Sequence, residues 1–164
     1  MERKIAIVTD SSCDIPKELA EKYGIDVIDF PINLDGKEYY ERRGMTMDQF
    51  YELMRAAQGV PTTAAITALQ WREVYEAYAD QGYTDVLHVS INSTGSSTYA
   101  NAQQAAEQLR QDRPEMTMRI HLVDSHTYSM VFGWYLCECA RKLRNGGDLR
   151  SCILELESKL GRVE

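Results

Sequence analysis

Five hydroxyl residues, Ser93, Thr94, Ser96, Ser97 and Thr98, crowd around Gly95. They follow an apolar, β-branched run that stops at Ile91 and precede a run of helix formers from Tyr99 to Leu109. This order predicts strand, polar turn and helix. A helix N-terminus offers unpaired backbone N–H groups and a partial positive charge, so it attracts anions. The hydroxyls add neutral donors at the same place. The chemistry suits a small anionic headgroup, a carboxylate or a phosphate.

Two other strand ends carry similar turns, Asp10-Ser11-Ser12 and Asp124-Ser125-His126, and Thr62-Thr63 sits in a loop after Pro61. Asp10 after a first strand raises phosphoryl transfer through an aspartyl phosphate. That pattern wants a second Asp two residues on, where Ser12 stands, so Asp10 reads instead as a residue that orients its turn. Asp124, Ser125 and His126 are adjacent in sequence, whereas triad members converge from separate segments. The Gly95 turn has no G-x-S-x-G elbow for a serine hydrolase at Ser96. It also lacks the dinucleotide fingerprint and the phosphate-loop lysine. A small enzyme using Ser96 or Asp10 is the alternative to a binding site. His88 and His121 lie within predicted strands and read as packed or hydrogen-bonded core. Three scattered histidines have no metal-ligand spacing, so neither a metal nor a cofactor is expected. Simple helix capping competes with ligand binding for Ser96 and Thr98. Several such turns at strand ends favour a shared cleft.

The elements that position these turns are legible from periodicity and punctuation. Ile5–Thr9 is a short apolar run, as in a strand covered on both faces. Pro16 marks the first turn of a helix that ends at Tyr23-Gly24. Residues 25–34 alternate as one second strand, and Asp35-Gly36 turns into a hairpin partner at Lys37–Tyr40. Thr46–Gln49 and Thr67–Gln70 are capping boxes, opening helices to Ala57 and Gln81. Gly59–Ile66 reads as a linker, and Arg42-Arg43 as a solvated loop. Residues 118–124 form a further strand. A helix spans 130–144, its stripe of Val131, Trp134, Tyr135, Cys139 and Leu143 read as core or interface. Asp148 caps a last helix reaching Leu160. Strands alternating with helices predict a single α/β domain over residues 1–164: a three-layer α/β/α fold with a mostly parallel sheet. Ligands of such sheets gather at the carboxyl ends of the strands.

Composition sets the limits. The 164 residues are 44% hydrophobic and 26% charged, with a net charge of −7. That charge argues against nucleic acid and anionic membrane as bulk partners. No apolar run reaches the length of a membrane span. Met1-Glu-Arg-Lys leads straight into the first strand without a signal peptide, and Cys13, Cys137, Cys139 and Cys152 lack disulfide or zinc spacing. A cytoplasmic protein with reduced thiols is expected.

In this order, Ile7–Pro16 (IVTDSSCDIP), Pro61-Thr62-Thr63, Ser93–Ala102 (STGSSTYANA) and Val123-Asp124-Ser125 resemble the DegV family of bacterial fatty-acid-binding proteins. The resemblance covers essentially the whole chain but only the first domain of a family member, and implies that the C-terminal domain is absent here. It implies binding of a long-chain fatty acid, its carboxylate held by the first domain's turns and its tail in an apolar tunnel between domains. It further implies a fatty acid kinase subunit as partner, and no catalysis by the chain itself. By position Thr63 matches the threonine of the family's Thr-Ser-Gln-Pro loop, and Ser96 the serine of its Ser-Gly-Thr turn. Both would donate to the carboxylate, with Thr62 beside Thr63 and Ser11 as a further contact. Two departures stand out: Ala64-Ala65-Ile66-Thr67 replaces the Ser-Gln-Pro-Ser continuation, and Ser97 replaces the turn's glycine. Without a second domain, self-association through the exposed interdomain face is also expected.

Overall fold

The computed structural model describes residues 3–163. Its centre is a four-stranded, wholly parallel sheet of β1 (Ile5–Asp10), β2 (Ile25–Ile28), β6 (Asp85–Ser90) and β7 (Arg119–Asp124), in the order β2-β1-β6-β7. The inner strands are apolar on both faces because helices cover both, and all six residues of β6 are buried. Ile7, Leu87, Val89 and Val123 face α1 (Lys17–Tyr23), α5 (Met130–Arg144) and α6 (Leu149–Leu160). Ala6, Val8 and Val86 face α3 (Ala68–Asp80) and α4 (Thr98–Asp112), where Trp71, Tyr75 and Leu109 are fully buried. The expected three-layer α/β/α architecture is present.

The helix borders follow their local chemistry. Gly24 closes α1 in the left-handed conformation at φ 66°. Capping boxes open both α2 (Met47–Ala56) and α3, with Thr46 and Thr67 accepting from the amides of Gln49 and Gln70. Asp148 accepts from the Ser151 amide to start α6.

Four expectations are corrected. Residues 25–34 are two strands. The β1 ladder ends at Asp10 opposite Ile28, so β2 has no further partner and the chain turns at Asp29-Phe30. β3 (Pro31–Leu34) then joins a second, antiparallel sheet with β4 (Lys37–Tyr40) and β5 (Thr62–Thr63), in the order β4-β3-β5. Asp35 and Gly36 both take positive φ, as a two-residue hairpin turn with right-handed twist requires. The supposed linker therefore contains a strand, which pairs Ile32 with Thr63 and Asn33 with Thr62. Arg42 and Arg43 are also more than solvated loop. Arg42 Nη2 donates to the Ile15 carbonyl at 2.7 Å, and Arg43 Nε lies 3.4 Å from buried Asp29. On α5 the buried side chains are Phe132, Leu136, Cys137, Cys139 and Ala140, whereas Val131 and Trp134 are exposed.

Candidate functional site

The connection leaving β1 crosses to β2 over one face of the sheet, and the one leaving β6 crosses to β7 over the other. The carboxyl ends of β1 and β6 therefore splay apart into a crevice, the topological switch point where doubly wound sheets bind ligands. A cleft of about 470 Å³ opens there. Ser11, Ser12 and Asp14 line it from the turn after β1, and Ile91, Gly95, Ser96 and Ser97 from the turn after β6. The second sheet completes the wall with Phe30, Ile32, Glu41, Thr63, Ala64 and Ala65.

Asp10 joins the two turns. It is fully buried, and its oxygens divide between them. Oδ1 accepts from the Ser12 amide at 3.2 Å and from the Ser12 hydroxyl; Oδ2 accepts from the Ile91 amide at 2.8 Å and the Ser90 hydroxyl at 3.3 Å. Burial pushes its pKa up, and these four donors oppose that shift by favouring the ionised form. With each oxygen facing a backbone N–H, the carboxylate orients its turns, as its sequence context suggested.

Ser11 is buried and its hydroxyl oxygen accepts from the Phe30 amide at 3.0 Å, which holds the β2–β3 connection against the cleft. Ser96 stands at the mouth of α4, where its oxygen accepts from the Thr98 amide at 3.2 Å. One side chain thus both satisfies the first amide of α4 and lines the cleft. Thr98 and Asn101 also reach the loop before α3: Thr98 Oγ1 accepts from the Ile66 amide at 3.3 Å, and Asn101 Nδ2 donates to the Ile66 carbonyl at 2.8 Å. These bonds hold the Thr63–Ile66 stretch beside the α4 N-terminus. Ser11, Thr63 and Ser96, distant in sequence, line one cleft; Thr62 is not part of its lining, since successive strand residues face opposite ways.

Both departures from the family pattern fit the backbone. Ser97 adopts φ −72° and ψ −4°, open to any residue. Ala64 and Ala65 contribute apolar wall. At Gly95 a Cβ would run into the Tyr128 hydroxyl, so a larger residue there requires the half-exposed Tyr128 side chain to swing aside.

Asp14 and Glu41 are the acidic members of the lining, and among the described residues no Lys, Arg or His lines the cleft. Burial pushes the Glu41 pKa up, against the pull of nearby Arg42. An anion in this cleft would meet neutral hydroxyl donors and the N-terminus of α4, and would share the cleft with Asp14 and Glu41. Sequence reasoning missed Phe30, Ile32 and Glu41, because the second sheet was not foreseen, and Asp14, which closes the turn after β1.

The Asp124–His126 turn is built differently from a triad. His126 Nδ1 lies 3.3 Å from Asp124 Oδ2, but the buried Ser125 hydroxyl donates to the Thr127 carbonyl at 2.9 Å. His88 is buried with Nδ1 2.6 Å from the Tyr75 hydroxyl, and His121 Nε2 lies 2.9 Å from Asp85. Both are structural, in line with expectation. Among the described residues, no group of three or more His, Cys, Asp and Glu side chains has a metal-holding arrangement, and no helix is long and apolar enough to cross a membrane. The four cysteines are buried, with free thiols.

Topology and cleft together define a doubly wound α/β domain with a polar pocket at its switch point. The DegV family model, described as one of uncharacterised proteins, matches residues 4–162, and the chain belongs to this family. A DegV domain-containing protein of Clostridium perfringens is 33% identical over 160 residues, covering 96% of this chain and 55% of that protein. One from Staphylococcus aureus is 29% identical over 154 residues, covering 93% and 51%. The chain thus spans about half the length of the curated relatives it matches. Among solved structures it is similar to DegV from Bacillus subtilis, described as a fatty acid binding protein, with TM-score 0.84 and 26% identity over 96% of this chain and 54% of that one. It is similar also to a fatty-acid-binding DegV family protein from Thermus thermophilus, with TM-score 0.80 and 26% identity over 96% and 53%.

Proposed function

We propose that this chain binds a long-chain fatty acid, holding its carboxylate with Ser96 and Thr63, with Ser11 as a further donor. The observation that carries this is the convergence of these three hydroxyls on a cleft whose other walls are the apolar Phe30, Ile32, Ala64, Ala65 and Ile91. The fatty-acid-binding description of its structural relatives supports the same ligand. A carboxylate gains charge-assisted hydrogen bonds from such donors. The acyl chain adds about 0.8 kcal/mol per buried CH₂, so most affinity comes from apolar wall. The role is binding and presentation to a fatty acid kinase in the cytoplasm, not turnover. Tyr128, Val131 and Trp134, exposed near the cleft mouth and on the first turns of α5, are apolar surface for whatever closes over the bound lipid, or for self-association.

Mass spectrometry of an organic extract of the purified protein, followed by displacement of a fluorescent fatty acid, tests this. A fatty acid should be recovered, and Ser96→Ala and Thr63→Ala should each weaken its binding about tenfold, one charge-assisted bond apiece. Wild-type affinity in both variants overturns the headgroup assignment. Turnover of an ester or phosphoester that is lost in Ser96→Ala or Asp10→Asn would replace the binding role with an enzymatic one.

A further inference from the structure

Thr98 stands one step behind Ser96. It is fully buried and does not itself line the cleft. Its Oγ1 accepts the Ile66 N–H at 3.3 Å and lies 2.9 Å from Ser96 Oγ, hydroxyl to hydroxyl. A hydroxyl carries one hydrogen and two acceptor positions. Between these two hydroxyls either can donate, and the surroundings decide which. Thr98 is fully buried and already accepts from Ile66, so donating to Ser96 Oγ, 2.9 Å away, is the sense of this bond that gives its hydrogen a partner. Ser96 Oγ also accepts the Thr98 N–H at 3.2 Å. With Thr98 donating, both acceptor positions of Ser96 are filled and its single hydrogen is free for the cleft.

We propose that Thr98 is a positioning residue that commits the Ser96 hydroxyl to donating into the cleft, and so makes the site favour an anionic, hydrogen-bond-accepting headgroup over a neutral one. The proposal rests on the fatty-acid reading of the cleft. The hydrogen bonds then run one way, from the Ile66 amide through Thr98 and Ser96 to the carboxylate, and each polarises the next. Without the Thr98 hydroxyl, Ser96 can rotate to accept as well as donate, and the preference for a carboxylate falls.

The test compares oleic acid with oleyl alcohol of equal chain length, by displacement of a fluorescent fatty acid. Thr98→Val removes the hydroxyl at nearly constant volume. It should weaken oleic acid about tenfold while leaving oleyl alcohol within about twofold, because only the charge-assisted bond depends on Ser96 as a committed donor. Thr98→Ser should restore wild-type selectivity. In a Ser96→Ala background, Thr98→Val should add no further loss of selectivity for oleic acid over oleyl alcohol, since Thr98 sets that selectivity through Ser96. A merely structural role predicts instead that both ligands weaken together, and that the loss persists without Ser96; that result overturns the proposal. So does wild-type affinity for oleic acid in Thr98→Val. If Ser96→Ala loses affinity but Thr98→Val does not, the fatty-acid reading stands and this inference alone falls. If the wild-type protein binds no oleic acid, both fall. Should Thr98→Val not fold, Thr98→Cys, with its weak S–H donor, is measured in its place with the same expectations.

Discussion

At the scale of single residues, Asp10 has the clearest division of labour. Each carboxylate oxygen faces one backbone N–H, Ser12 on one side and Ile91 on the other. An amide has only one oxygen. Asp10→Asn must therefore turn its NH₂ group toward one of these N–H donors and leave it unpaired in a buried place. Urea unfolding should show a loss of about 2–3 kcal/mol, the cost of an unsatisfied buried donor next to a former charged partner. A loss near zero would mean that the carboxylate does not staple the two turns. The Asp10 oxygens are occupied by structural donors and are fully buried.

Among elements, the contact between α5 and the turn after β1 decides where Ser11 sits. Ser129, at φ 61° in the region that favours glycine, opens α5 and donates its amide to the Ser12 carbonyl at 2.9 Å; its hydroxyl donates to Asp14. One turn later, Gly133 lets the helix lie directly on that segment. A Cβ at Gly133 would run into the Cys13 carbonyl oxygen and come within 2.9 Å of the Ile15 side chain. The carbonyl belongs to backbone, which cannot swing aside as a side chain can. Gly133→Ala should therefore cost about 1–3 kcal/mol by overpacking, beyond any gain in helix propensity. Chemical denaturation measures it, and an unchanged or raised midpoint would show that α5 does not press on the Ser11–Cys13 turn. Val131 and Trp134 lie on the same helix but face outward. The stripe read from sequence mixed the two faces, because periodicity alone does not say which side of a helix meets the sheet.

Over the whole molecule, acid stability reflects how completely the helices cover the sheet. His88 lies mid-strand in β6, its ring tilted against Trp71 with centroids 4.1 Å apart, and is fully buried. Burial lowers its pKa from 6.5 to about 3. In the unfolded chain it binds a proton below about pH 6.5, whereas in the folded protein it stays neutral until about pH 3. The neutral form is common to both states above pH 6.5, so the full stability is present there. Between these limits the unfolded state takes up one proton more, and stability falls by about 1.4 kcal/mol per pH unit from this residue alone. His88→Phe removes that titration while keeping an aromatic ring beside Trp71. Unfolding free energies of the two proteins, measured from pH 7 to pH 4, should converge or cross as pH falls. Parallel curves would show that His88 titrates alike in both states.

Much of this molecule is local in origin. The capping boxes at Thr46 and Thr67, the Gly24 stop, the Asp35-Gly36 turn and the apolar cores of β1 and β6 depend on neighbours a few residues away, so periodicity and turn chemistry reveal them. For the same reason Ser11 and Ser96 could be named as strand-end donors, and Thr63 through its place in the family pattern. What tertiary structure alone decided is non-local: that the chain leaves the parallel sheet after Ile28, that Thr62-Thr63 pairs with β3, and that Thr63 faces the cleft while Thr62 does not. It also decided that Asp10 spans two turns and that Thr98 links Ser96 to Ile66. Each depends on a partner roughly 30 to 80 residues away, whose position is set by packing on the sheet. The sequence alone determined the donors and the strand ends that carry them; the closing of three such segments around one crevice is a property of the folded sheet, because only its opposed crossovers bring those ends together.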